Sequence, residues 1–491
     1  DTATDILRLA VAMSDGDVSL ADNTHFRSFK RAERRLLIAL LAEVRGGIVE
    51  DMMRHQQMWK RLGERLHPGE FNQYPAVQEA FAVVRSNGAF ESFNSRVEAA
   101  IAEGQVQAVV DLLVQRPGEF ARRLDKVLRI SQSITMRRYV LEAFNKVAQN
   151  ASPTVLLQAR NSFANRSDTK PRVFFPKGNI AKMQSIRDER GFMSSGVQGE
   201  AILALDTALV KNFESRSDLG GSWIDPALKR IAIPFGQRNA SRALKTLGRG
   251  SRLSLGDDAN VIRFFIWWHD APAEAGSGWG YRAHTDIDLS AVCFDDAYRY
   301  HSGITFYNLR EEGAVHSGDV TSAPNGASEF IDIDIDTLRK RGVRYVAMTL
   351  HSYSGQNLID LPECFAGFME RRDLGSGEVY DPRTVTNKAD LSAKSRGATP
   401  FIFDLETREA IWVDLSMQVS NMAGTVASTK GQITSLVEAM TKLSPPNLYD
   451  LFSAHAAARG GIVSKDKAKT VFSFDGDVTP FDTEVILDEY L

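Results

Sequence analysis

TDIDLSAVCFDD (285–296) and FYNLREEGAVHSGDVTSAPNGASEFIDIDID (306–336) decide how this chain is read. Asp286 and Asp288 stand two apart in a strand-like run. Side chains alternate along a strand, so both carboxylates project from one face. Asn308 ends the next strand-like run, His316-Ser317-Gly318-Asp319 forms a tight polar turn, and Glu329 opens the strand after it. Hard divalent cations take several carboxylate, amide and carbonyl oxygens converging from different loops, with no thiolate among them. The spacing is not that of the EF-hand loop, and acids at strand ends also serve simply to solvate a sheet edge. The reading that the stretch suggests is a Ca²⁺-binding β-domain.

Outward from it, strand runs recur at sandwich spacing from 261 to 415. They are VIRFFIWWH (261–269), DIDLSAVCF (286–294), GITFYN (303–308), EFIDIDI (329–335), RYVAMTLHSYSG (344–355), ECFAGFMERR (363–372), TPFIFDL (399–405) and AIWVDL (410–415). Asp332, Asp334 and Asp336 alternate with isoleucines and are expected to share one face as a solvent-facing or domain-docking row. Cys293 and Cys364 lie in apolar runs and read as buried, inert thiols. His269 beside Trp267-Trp268 reads as a satisfied core histidine, and His316 as a turn residue acting through its backbone.

Upstream the periodicity changes. FKRAERRLLIALLAEV (29–44) places apolar residues at helical spacing with basic residues opposite. Further helical runs follow, broken at His67-Pro68-Gly69 and Arg116-Pro117-Gly118. The expected architecture is multidomain α+β. It comprises a helical interaction domain over 1–165, a mixed α/β segment over 166–258, a β-sandwich over 259–418, and a helical segment with an acidic, aromatic tail over 419–491. That tail, FDGDVTPFDTEVILDEYL (474–491), suits docking on its own chain or on a partner.

In order along the chain, DIDLSA, FYN, HSGD and the acid before FIDIDI resemble the motifs of the TerD domain of tellurium-resistance and stress-response proteins. The resemblance covers roughly 261–415. RLGERLHP (61–68), RPGEFARRLDKVLR (116–129), VFFPKG (173–178), RGSR (249–252) and HAAARG (455–460) extend it to the long bacterial TerD-domain proteins that often carry a RING-like zinc module. The resemblance implies a β-sandwich holding Ca²⁺ on loops at one end. Asp286, Asp288, Asp319 and Glu329 would be carboxylate ligands, Asn308 an amide ligand, and Gly318 the residue that permits the turn. Two departures stand out. Ala327-Ser328-Glu329 keeps one acid where shorter TerD domains have a run, which should weaken the site. Two cysteines cannot supply a RING-like module, which needs about eight Cys/His ligands. The first residue is Asp1 rather than methionine, as expected of a piece of a longer protein whose first module is missing.

The balance of the chain is that of an ordinary soluble protein: 491 residues, net charge −3 and two cysteines argue for neither nucleic acid, membrane nor a disulfide framework. The expected location is cytoplasmic. One basic cluster interrupts this. Between Pro226 and Gly256 there are seven Lys/Arg and no acid. Arg238, Arg242, Lys245 and Arg249 would form one stripe if 239–247 is helical, with Gly248 as its cap. That stripe is the alternative functional lead, a site for nucleic acid or a phosphate ligand, set against a solvated or docked face. Neither a GxSxG elbow nor a P-loop occurs, no HExxH pattern supports a zinc hydrolase, and GSGWGY (276–281) reads as a flexible loop. The expected role is binding rather than catalysis, with protein partners among stress-response or membrane-associated components. A metal-dependent hydrolase using Asp319 or Glu329 as base would require a substrate pocket.

Overall fold

The computed structural model describes residues 2–20, 24–44, 47–166, 172–174, 183–235, 247–270, 284–374, 381–385, 387–391, 395–417 and 426–491. Two compact units divide at Phe144/Asn145.

The first unit is helical. It contains α1 (Ala3–Ala12), α2 (Arg31–Ala42), α3 (Ile48–Arg54), α4 (Gln56–Leu66), α5 (Pro75–Ser86), α6 (Phe93–Ala102), α7 (Val106–Leu113) and α8 (Pro117–Ile130), and the division falls within α9 (Ile134–Val147). Trp59, Leu62 and Leu66 line one stripe of α4 and are fully buried. Trp59 meets Phe81 of α5 edge-on at 5.8 Å. Gly63 permits this approach, since a Cβ there would lie 3.0 Å from the Phe81 ring. The first Pro-Gly break behaves as expected: His67 turns left-handed at φ 52° and Pro68 cannot continue the helix. The second does the opposite work. Pro117 occupies the first position of α8, where its missing N–H costs nothing.

The second unit begins earlier than the sequence periodicity suggested. α10 (Pro153–Ala164), expected with the N-terminal helices, packs instead on α11 (Ser195–Phe213). The Asn212 amide donates to the Gln149 carbonyl at 2.9 Å, tying the start of this pair together. Between them β1 (Arg172–Phe174) and β2 (Gln184–Ile186) form a short antiparallel ribbon. β3 (Ser222–Ile224) follows, then the sandwich strands: β4 (Arg252–Ser254), β5 (Val261–Trp268), β6 (Ile287–Phe294), β7 (Tyr300–Ile304), β8 (Arg310–Glu311), β9 (Ala314–His316), β10 (Ala327–Asp334), helix α12 (Ile335–Lys340), β11 (Tyr345–Ser352), β12 (Cys364–Arg371), β13 (Lys388–Asp390), β14 (Gly397–Asp404) and β15 (Glu409–Met417).

These strands make two six-stranded sheets, in the orders β13-β12-β5-β10-β9-β8 and β4-β15-β14-β11-β6-β7, antiparallel throughout. β4, from the segment read as a separate mixed region, is an edge strand of the second sheet. The sheets meet through aromatic rings: Phe264 with Phe403 at 5.8 Å, and Phe368 with Phe401 and Phe403 at 5.2 and 5.3 Å. The second sheet is also covered outside by α13 (Val426–Lys442), whose Ile433, Leu436, Val437 and Met440 pack on Val292, Phe294, Tyr345 and Ile402. Burial on both faces explains why β11 and β14 are buried at every position and read as continuous rather than alternating apolar runs.

The expected acidic row does not form. Asp332 is buried, and its two oxygens accept from Arg263 Nε and Nη2, both at 2.6 Å. The strand ends at Asp334, whose side chain caps α12 by accepting the Thr337 N–H, and Asp336 falls in that helix. The C-terminal tail docks on its own chain. α14 (Leu448–Ala458) lies against α11, β16 (Thr470–Phe472) pairs in parallel with β3, and α15 (Thr483–Glu489) brings Tyr490 onto Phe452 and Phe472 at 5.3 and 5.5 Å. Among the described residues no helix is long and apolar enough to cross a membrane.

Candidate metal centre

β6 carries Asp288, Asp286 lies one residue before it begins, and Asp319 comes from the loop that follows β9 in the other sheet. One carboxylate oxygen from each of the three lies within 4.8 Å of the others. The period-two rule puts Asp286 and Asp288 on one face. Gly318, at φ 115°, supplies the backbone conformation that presents Asp319. Asp286 is fixed through its backbone: its N–H donates to Ser354 Oγ at 2.9 Å, and its carbonyl accepts from Tyr353 N at 3.0 Å. Among the described residues its buried Oδ1 has no hydrogen-bond partner.

Gathering like charges in a partly desolvated place raises the cost of ionising them. Burial, then the neighbouring charges of Asp286 and Asp319, push Asp288 up to about 7. Asp286 is raised by burial and by Asp319. A divalent cation removes this repulsion, and the donors present are the hard oxygens that Ca²⁺ prefers.

Glu329 does not join the three aspartates. It is fully buried and reaches from β10 across the sandwich. Its Oε2 accepts from Leu289 N at 3.1 Å and its Oε1 from Val320 N at 2.7 Å. Burial pushes it up to about 8 against the opposing effect of those N–H groups, with Asp319 and Asp288 adding to the rise. His316, expected to act through its backbone, acts through its ring. Nδ1 accepts from Gly318 N at 3.0 Å and Nε2 donates to the Leu289 carbonyl at 3.1 Å, which defines the neutral Nε2–H tautomer. Burial lowers its pKa, consistent with that form. The physical reason for both side chains is an open edge. β7 stops pairing with β6 at Ala291, so Leu289 lacks a strand partner on that side. Glu329 and His316 supply the missing acceptor and donor.

Asn308 is directed elsewhere: its amide nitrogen donates to the Gly303 carbonyl at 2.8 Å and to Glu311 Oε1 at 3.0 Å. His351, one of the scattered histidines to which the sequence assigned no role, is the cross-strand partner of Asp288 and thus its neighbour on the same face. Its buried Nδ1 has no partner among the described residues. His269 is not a core residue; its side chain is 35% exposed and stands 3.9 Å from Glu363. Both cysteines are free and buried, and burial pushes the Cys293 thiol up to about 12.

Of the basic stripe, Arg238, Arg242 and Lys245 lie outside the described residues, as does GSGWGY (276–281). Arg249 is described, and it is a structural anchor. Its Nε and Nη2 donate to the carbonyls of Val413 and Asp414 in β15 at 3.0 and 2.8 Å.

No family model and no curated protein matches the chain. Among solved structures, SAV2460, a protein of unknown function, is 15% identical with a TM-score of 0.24, over 33% of this chain and 93% of its own. SCO6318 from Streptomyces coelicolor A3(2), a homologue of the telluride resistance protein TerD, is 11% identical with a TM-score of 0.26, over 33% of this chain and 92% of its own.

Proposed function

We propose that the sandwich is a Ca²⁺-binding module of the TerD type and that the protein works by binding rather than by catalysis. The observation that carries the metal reading is the convergence of Asp286, Asp288 and Asp319 from two sheets, with a buried Asp286 oxygen among them that has no partner among the described residues. Asp286, Asp288 and Asp319 would hold the ion, and Glu329 and His316 would hold the strand that presents them. Bound Ca²⁺ would neutralise the three carboxylates and order the 316–329 segment as a docking surface for a protein partner. Binding to the folded state alone stabilises it by linkage. A role in stress response rests on the resemblance of the sequence motifs alone, and a cytoplasmic location on the composition of the chain.

Calorimetric titration of the chelator-stripped full chain with Ca²⁺ tests the site, run beside Asp288→Asn, Asp319→Asn. Saturable binding that disappears in the double variant is the expected result. Absence of binding up to millimolar Ca²⁺, or binding that survives both substitutions, overturns it.

A further inference from the structure

Where the C-terminal end of α13 meets the second sheet there is a pocket of about 680 Å³, within the range of small-molecule sites. Lys229, Arg230, Arg252, Arg344 and Lys442 line it, against only Asp296, Asp404 and Glu409 among acids. Two of these cations are already matched. Lys442 pairs with Glu438 at 2.6 Å, and Arg344 with Asp404 at 3.3 Å.

The other three have one buried carboxylate between them. Arg230 and Arg252 share the single carboxylate of Glu409, at 2.7 and 3.3 Å. Glu409 is the buried member, with its side chain 5% exposed, while that of Arg230 is 50% exposed. One guanidinium suffices to neutralise that carboxylate, so the second, together with Lys229, outnumbers Asp296, the remaining acid of the lining. Lys229 forms no ion pair among the described residues and lies over the Tyr449 ring at 4.6 Å. The two guanidinium planes are held in advance of any ligand: Arg230 Nη1 donates to Ser254 Oγ at 2.8 Å, and Arg252 Nη2 to the Thr441 carbonyl at 2.7 Å. A guanidinium fixed in this way, with N–H groups to spare, is suited to phosphate oxygens. On another wall Tyr298 lies parallel to Tyr345 at 5.1 Å, and its hydroxyl accepts from Thr441 Oγ1 at 3.1 Å.

We infer that this pocket binds a small phosphorylated ligand, held by Arg230, Arg252 and Lys229. The site is separate from the three aspartates and is built from the 3₁₀ turn Pro226–Arg230, β4, the β14–β15 turn and the end of α13.

The test is calorimetry on the chelator-stripped full chain at low salt, with pyrophosphate and adenosine monophosphate as probes. Saturable binding of either probe is expected, weakened about tenfold or more in Lys229→Gln, Arg230→Gln. Binding of pyrophosphate shows that phosphate alone is sufficient, and binding of only the nucleotide shows that the aromatic wall contributes. Either outcome supports the assignment. Lys229→Gln alone, at an exposed position, should weaken binding about threefold and covers the case in which the double variant misfolds. Failure of both probes to bind at millimolar concentration overturns the proposal. So does binding of unchanged strength in a variant that unfolds at the wild-type temperature.

Discussion

Glu329 accepts the N–H of Leu289 at 3.1 Å from across the sandwich, so a side chain of one sheet completes the backbone pairing of the other. A carboxyl accepts on both oxygens whether or not it is ionised, which suits Glu329 to bonding Leu289 and Val320 together. Glutamine accepts on one atom only. Glu329→Gln should therefore leave one buried N–H facing an amide NH₂ and cost about 1–3 kcal/mol in urea unfolding. An unchanged unfolding midpoint would show that the Leu289 edge is satisfied in some other way.

The same site sets the pH response of the metal-free protein. Glu329 and Asp288 are raised to about 8 and about 7 in the folded state, so between pH 5 and 8 the native state holds protons that the unfolded chain has released. Stability therefore falls as pH rises through that window. The unfolding temperature of chelated protein should drop from pH 6 to pH 8.5, and Ca²⁺ should restore most at the alkaline end. It should release a proton on binding near neutrality. Equal Ca²⁺ stabilisation at both pH values would separate the ion from these carboxyls.

Much of this site was legible because a strand has a period of two. Asp286 and Asp288 had to share a face, and they do meet. The same rule carried a signal that went unused. Glu329 shares its face with Ile331 and Ile333, the buried side of β10, which marks it as an inward acid rather than a rim ligand. Arg263 was likewise the one charge in an apolar strand, and so required a partner; its register partner is Asp332. What the sequence could not show was where β7 stops, and hence why His316 must use its ring. Such an edge is a property of pairing between distant strands, as is the departure of α10 from the other N-terminal helices.

Arg263 and Asp332 are both buried, joined by two bonds of 2.6 Å, and the guanidinium lies over the Phe330 ring at 3.8 Å. Removing one partner leaves the other charge stranded. Arg263→Met should cost about 3–5 kcal/mol, whereas Arg263→Met, Asp332→Leu should recover most of it. Guanidinium unfolding of both variants gives the comparison. A double variant no better than the single would mean that the pair contributes through shape rather than charge.

His455 holds the C-terminal tail in place. Its Nε2 donates to the Tyr490 carbonyl at 2.8 Å, its Nδ1 accepts from Arg459 Nη1 at 3.1 Å, and its ring stacks on Phe213 at 3.7 Å. A proton on Nδ1 would replace that acceptor with a charge facing the guanidinium. Burial chiefly, with Arg459 and Arg216 adding to it, pulls the imidazole down to about 3. Because the folded pKa lies below the unfolded one, this contribution is complete above about pH 6.5 and is lost as the pH falls toward 3. The loss is about 1.4 kcal/mol per unit from this one group. Acidification from pH 7 to 5 should therefore remove the His455 contribution to the second unit, against the opposing gain from Asp288 and Glu329. Glutamine at this position can still donate to Tyr490 but does not titrate. His455→Gln should start from a lower stability at pH 7, and its gap to the wild type should narrow down to pH 5. Parallel slopes for the two proteins, followed by thermal unfolding across that range, would place the acid sensitivity elsewhere.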